Sequence, residues 1–323
     1  DSSMPGAASC AMSFSIGDVA QITRIPEDTL RVWERRYHFP QPMRSSGGQR
    51  QYAERQVLDL MWVKMQLDQG MRAGQAIHAR HTVARDGAIE RVLHEPLPPC
   101  PNADPLLIEI RSALLEALLI CDSSKAATIL TGAAERHPVD LLVLGVVGPT
   151  LAAIGEAWSV GEVSVAVEHF ASNFLRHLLL DWLRASPAHF SVDPVVLACA
   201  PEELHEGGLL MLWVLLRQLR WPVVYLGQSL PLKDLPAFVD NVRPALVVFA
   251  AMNEMSALAL AEWPRWLSQP GGARPPFVGY GGRAFVANPR LADRVPGVLL
   301  GSTLCEGKER IHRLMLNLAV LGQ

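Results

Sequence analysis

The richest chemistry in this chain lies in one loop, Pro201-Glu-Glu-Leu-His205-Glu-Gly-Gly208, where the Glu203 carboxylate precedes the His205 imidazole by two positions. A neutral imidazole binds a transition metal through one ring nitrogen, and a carboxylate bonded to the other nitrogen fixes the tautomer that does so. Gly208 allows a bulky ligand to approach the backbone, and a second pair, Gly281-Gly282, follows downstream. Upstream, Trp158 and Glu168-His169 form a W-x9-E-H pattern. Its aromatic ring can exclude solvent or stack on a flat ligand, and its carboxylate can accept hydrogen bonds. Taken singly these signals are weak, because a loop histidine is ordinarily a surface residue and a Trp at a helix end is ordinarily core.

The elements that must position them raise their weight. The loop follows Val195-Val-Leu-Ala-Cys199, the first of five short β-branched runs; the others begin at Val223, Ala245, Phe277 and Val298. Amphipathic stretches separate these runs, which predicts a parallel, doubly wound sheet that binds ligands at its carboxyl edge. His205 and Gly281-Gly282 both follow strands at that edge. From Leu106 to about Ala185 the chain is Leu- and Ala-rich, with breaks near Asp122-Ser-Ser, His137-Pro138 and Ser159-Val-Gly161. This predicts a four-helix bundle with Trp158 ending its third helix and Glu168-His169 on its fourth.

A chain of 323 residues and 35.3 kDa implies two or three domains. With 50% apolar and 19% charged residues, it has a core to bury and does not have a disordered profile. The weakly charged stretch from Leu141 to Gly155 falls short of the roughly 20 residues a membrane span needs. The opening residues 1–12 lack the features of a secretory signal and read as a disordered start or an expression remnant. A cytoplasmic protein is expected. Five scattered cysteines without a CxxC pair read as reduced thiols rather than a disulfide framework or structural zinc site. The proline-rich stretch 94–105 reads as a linker between a head, residues 13–93, and a body made of a bundle, 106–187, and a sheet domain, 188–323. From Ser13 to Ala84 there are 10 Lys and Arg against 7 Asp and Glu, whereas residues 85–323 carry 19 against 24. The basic charge therefore sits on the head, where it suits nucleic acid.

In the head, Ser15-Ile-Gly-Asp18 has capping-box form, and Val19, Ile22 and Ile25 follow at helical spacing. After a break at Thr23-Arg24, Pro26 suits the first position of a second helix, Thr29-Leu-Arg-Val-Trp-Glu-Arg-Arg-Tyr37. That order predicts a helix-turn-helix whose second helix enters a major groove. Pro42-Met-Arg-Ser-Ser-Gly-Gly-Gln-Arg-Gln-Tyr52 then predicts a hairpin wing with its tip at Gly47-Gly48.

This run, with Arg44, Gly48-x-Arg50-x-Tyr52 and a long apolar helix ending near Gly70, resembles the winged helix-turn-helix of the MerR family over residues 13–84. The resemblance implies that Arg31, Arg35, Arg36, Tyr37, Arg44, Arg50 and Tyr52 face DNA. The body resembles the cobalamin-binding domain shared by methionine synthase and the mutases, which implies His205 as the lower ligand of cobalt and a nucleotide tail beside Gly281-Gly282. The Ser-x-Leu of that motif is matched here by Ala250-x-Met252, a departure that bears on one tail hydrogen bond and not on the binding itself.

With the MerR head in front, the whole chain resembles the CarH/LitR photoreceptor repressors. In that family Trp158, Glu168 and His169 would enclose the adenosyl group of adenosylcobalamin. Ser159 stands where many relatives carry a histidine able to take cobalt after photolysis. The implied function is a non-enzymatic, light-responsive repressor of carotenoid or photoprotective genes, bound to operator DNA as a dark homotetramer. Two other readings are a corrinoid methyl carrier, which a DNA-binding head does not suit, and a sensor of another tetrapyrrole through His205.

Overall fold

The computed structural model describes residues 12–83, 85–97, 104–267 and 275–321. The expected start, residues 1–12, and the centre of the expected linker, 98–103, therefore lie almost wholly outside the described residues. The chain forms two compact units: one runs to Glu95 and takes in the residues from Arg313 onward, and the other is Pro96–His312.

The first unit opens with β1 (Ser13–Phe14), α1 (Ile16–Thr23) and α2 (Glu27–Tyr37), followed by β2 (Met43–Arg44) and β3 (Arg50–Ala53). It continues with α3 (Glu54–Asp68), α4 (Ala73–Thr82) and α5 (Arg85–His94). The capping box forms as expected: the Asp18 N–H donates to Ser15 Oγ at 3.2 Å, and the Ser15 N–H donates to Asp18 Oδ2 at 2.8 Å. The first helix ends at Arg24 in the left-handed conformation, and Pro26 is the N-cap of α2, one position before the first helical residue. Three antiparallel strands in the order β1-β3-β2 make the wing sheet, turned at Gly48 with φ +78°.

The second unit begins with a helical bundle of α6 (Pro105–Leu119), α7 (Ser123–Ala134), α8 (Val139–Leu142), α9 (Gly148–Ser159) and α10 (Val165–Arg184). The last residue of α8 runs into a π-turn, Val143–Val147, and on into α9, so the three segments act as the third member of the four-helix bundle. This run, Val139–Ser159, is apolar and long enough to cross a membrane, but Leu142, Val143, Val146, Val147 and Ile154 are buried against the other helices. α9 ends in a Schellman arrangement, with Gly161 N–H donating to the Trp158 carbonyl and Glu162 N–H to that of Ala157, which requires the positive φ of Gly161.

After the bundle come β4 (Val195–Cys199), α11 (Gly207–Gln218), β5 (Val223–Gly227), α12 (Leu235–Val242) and β6 (Leu246–Ala250). The remaining elements are α13 (Glu254–Ala259), α14 (Trp263–Leu267), β7 (Phe277–Gly281), α15 (Arg283–Ala287), β8 (Val298–Leu299) and α16 (Leu304–Leu321). The five strands are parallel, in the order β5-β4-β6-β7-β8. Helix α11, wholly apolar along one flank, packs on the bundle helix α10, which makes bundle and sheet one compact unit rather than the two expected. The strand order reverses between β4 and β6, and the loops at that reversal open outward at the carboxyl edge.

The expected sheet domain, 188–323, needs one correction. The described end of the chain, from Arg313, belongs to the first unit, where Trp62 Nε1 donates to Asn317 Oδ1 at 3.0 Å and the Arg55 guanidinium donates to the carbonyls of Ala319 and Val320. Both Trp62 and Asn317 are buried, so the last turns of α16 complete the core of the head.

Candidate functional site

His205 stands in the loop between β4 and α11, gripped at three points. Its backbone N–H donates to Glu203 Oε1 at 3.0 Å, and its Nδ1 lies 2.7 Å from the same oxygen. The Cys199 thiol at the end of β4 donates to its carbonyl at 3.8 Å. Burial pushes that thiol up to about 12, with the carboxylates of Glu203 and Glu206 adding to it, so it remains a protonated donor. Glu203 itself is fully buried. Burial raises its carboxyl, but hydrogen bonds from the His205 and Met252 N–H groups and the imidazole outweigh this and hold it below the ordinary value. Its Oε2 accepts from the Met252 N–H at 2.7 Å and from Asn253 Nδ2 at 3.1 Å. With Nδ1 turned to the Glu203 carboxylate, Nε2 is the ring nitrogen left facing outward, and the His205 side chain is 71% exposed.

That imidazole borders a cavity of about 470 Å3. His205, Gly208, Ala250, Met252, Gly281 and Gly282 all line it, and Ala152 of α9 closes one side. A Cβ on Gly208 or Gly281 would meet no atom within 4 Å, so both glycines leave open space in the cleft. Gly282 is different: its φ is +116°, and a Cβ there would lie 2.3 Å from the Ala251 carbonyl oxygen. Among the described residues no group of three His, Cys, Asp or Glu side chains is arranged to hold a metal ion. His205 is a single imidazole donor rather than part of an all-protein metal cage.

Trp158, Glu168 and His169 are absent from the lining. Trp158 is 45% exposed, and Glu168 and His169 bond to each other at 2.6 Å. The structure thus brings together the loop and glycine residues but leaves the cap residues at the bundle surface.

The head sorts the expected DNA-facing residues by burial. Arg35, Arg36 and Arg44 are exposed, and Tyr37 is half-buried, with the Arg36 guanidinium over its ring. Arg31 bonds to Glu27 and Asp28 on its own helix; such exposed helix pairs are worth about 0.3–0.5 kcal/mol each and release easily. Arg50 Nε donates to Glu34 Oε2 at 2.7 Å, a bond that raises the guanidinium's pKa and ties the wing to α2. Tyr52 is the correction. It is 1% exposed, paired in register with Phe14, because the β3 pleat turns it inward to the core. Tyr52 therefore supports the wing and does not face DNA.

Residues 14–79 match the MerR HTH family regulatory protein family, and residues 110–179 match the B12 binding domain family. The transcriptional repressor CarH of Myxococcus xanthus is 30% identical over 253 residues, 76% of this chain and 81% of the relative. CarA of the same organism is 30% identical over 243 residues, covering 74% and 76%. The chain belongs to the CarH-type MerR family. A solved Methanosarcina barkeri monomethylamine corrinoid protein, 14% identical, shares the fold of the body with a TM-score of 0.51 over 62% of this chain and 96% of that one.

The cofactor of this family member is a cobalamin, and the cleft fits one on its own geometry. The cavity has open space at Gly208 and Gly281 for a flat macrocycle, and the exposed His205 imidazole at its edge is a nitrogen donor of the kind cobalt binds. At Ala250-x-Met252 the Met252 backbone N–H, which any residue supplies, is committed to Glu203 Oε2, so the segment supports the His205 loop. Ser302 and Thr303 also line the cavity, and the Thr303 hydroxyl accepts from the Glu306 N–H at 3.1 Å. The Ser159 hydroxyl donates to the Glu156 carbonyl at 2.7 Å, on its own helix. Sequence reasoning missed Asn253 and Cys199 as supports of this site. Asn253 was legible as an N-cap after β6, where its Oδ1 accepts from the Ser256 N–H, but its bond to Glu203 spans 50 residues and has no local signal.

Proposed function

We propose that the chain is a light-responsive, non-enzymatic repressor of the cytoplasm that uses adenosylcobalamin as its chromophore. The observation that carries this reading is the buried Glu203 holding a metal-ready His205 at the glycine cleft of a chain that also carries a winged helix-turn-helix. When bound, adenosylcobalamin supplies a cobalt–carbon bond that light cleaves. His205 would hold the cobalt through its outward Nε2. Trp158, Glu168 and His169, exposed or partly exposed on the bundle, would close over the adenosyl group, the Trp ring excluding water and the Glu–His pair exchanging hydrogen bonds with it. That ordered surface lets copies assemble, and a dark tetramer presents several heads to one operator, so affinity is multiplied by effective concentration and lost when the cap loosens. Carotenoid or other photoprotective genes are the proposed targets.

The test uses the full chain with adenosylcobalamin, in darkness and after green light, followed by absorption, size exclusion and DNA binding. The dark complex should elute larger than both the cofactor-free and the illuminated protein, and operator affinity should fall in step. The same elution volume in all three states would overturn the reading. In the head, Arg35→Ala and Arg44→Ala should weaken binding across sequences and each reduce the salt slope by about 1.

A further inference from the structure

One residue beyond His205 stands a second carboxylate that the lower-ligand reading does not use. Glu206 is the N-cap residue of α11, its carbonyl accepts from the Leu210 N–H at 2.9 Å, and its side chain is only 13% exposed. Oε1 accepts from Arg176 Nε at 2.8 Å and Oε2 accepts from the Tyr225 hydroxyl at 2.6 Å. The Tyr225 ring lies flat on Trp213, with centroids 4.8 Å apart and planes 7° apart. Burial, then the bond to Glu206, raises the Tyr225 phenol far above its usual range, so it remains the donor. Arg176 belongs to α10, the helix that carries Glu168 and His169. Arg176 lies seven positions after His169, two helical turns along one face.

We propose that Arg176, Glu206 and Tyr225 form a positioning device that ties the cap helix α10 to the lower-ligand loop. The seat of α10 and the position of the loop that carries His205 are then set by one cluster, while Glu203 orients the imidazole itself. This rests on the reading of His205 as the lower cobalt ligand.

Energetics favour a geometric role over a stabilising one. Arg176 is 43% exposed, and an ion pair so open to water contributes little to folding. Glu206 is mostly buried and accepts from two donors, so it is costly to leave half-satisfied. The arrangement therefore holds a place rather than a large share of the fold: α10, β5 and α11 converge on the residue covalently next to the ligand. If Arg176 is removed, Tyr225 still anchors Glu206 to the sheet, and the tie to the cap is what disappears.

The test compares Arg176→Met, Arg176→Lys, Glu206→Gln and His205→Ala in the full chain. Circular dichroism first verifies folding. Hydrogen exchange of residues 203–210 is then read without cofactor, and the absorption spectrum and affinity are read with hydroxocobalamin and adenosylcobalamin. Arg176→Met and Glu206→Gln should speed exchange in the loop and lower cobalamin affinity about ten-fold, the low end for a residue supporting a metal ligand, while keeping the imidazole-bound spectrum. Arg176→Lys should recover part of both, since an ammonium restores the charge but not the planar donor. Wild-type exchange and affinity in Arg176→Met and Glu206→Gln, with the imidazole-bound spectrum lost in His205→Ala, would overturn the device and leave the lower-ligand reading standing. An imidazole-bound spectrum retained by His205→Ala would instead overturn that reading and the device with it.

Discussion

On the loop side of the cleft, His205 is held at its N–H, its imidazole and its carbonyl, and the partner of the first two is a fully buried carboxylate. On the cap side, Trp158 is 45% exposed and the bond joining Glu168 to His169 lies at the surface. The difference teaches where ordering costs are met. A ligand preset by buried hydrogen bonds loses little entropy when the macrocycle arrives, whereas exposed cap side chains lose theirs on binding. On the proposed reading, the loop side would hold the cofactor through side chains already fixed by buried hydrogen bonds, and the cap side would respond to it.

The largest expected break in that contrast is His205→Ala, which should abolish the imidazole–cobalt absorption signature while folding as the wild type does. Next come the glycines. Gly282→Ala places a Cβ against the Ala251 carbonyl at a strained φ and should destabilise the cofactor-free protein by roughly 1–3 kcal/mol or more in chemical denaturation. Gly281→Ala points into open cleft, so it should leave that stability unchanged and lower cobalamin affinity. Equal stability losses in both variants would show that the cleft floor is not open as described.

Glu203→Gln keeps a group able to accept from Met252 but loses the charge that orients the imidazole. Cobalamin affinity should drop about 10–100-fold by titration, and an unchanged value would mean that the loop side is not preset by Glu203. Adding cofactor should slow hydrogen exchange around residues 158–170 far more than around 203–208, because the cap side chains are free of the buried hydrogen bonds that hold the loop; the reverse pattern would invert the comparison. The smallest effect is expected for Trp158→Ala, which should shift cofactor-free stability by no more than about 0.5 kcal/mol, as for other exposed positions, yet abolish cofactor-dependent assembly on size exclusion.

Much of this protein was legible along the chain because the signals are local. The Ser15–Asp18 box, the Gly48 turn, the five β-branched runs and the Glu203-x-His205 spacing each depend on residues within a few positions, where backbone geometry alone sets what faces what. Tertiary packing decided the rest. Tyr52 carries the same motif whether it faces DNA or the core, and only pairing with Phe14 turns it inward. Asn253, Cys199 and Arg176 reach the ligand loop from other elements, and Asn317 meets Trp62 across 255 positions. Such contacts form because distant elements must satisfy buried polar groups once the core closes, a condition that no stretch of sequence states by itself.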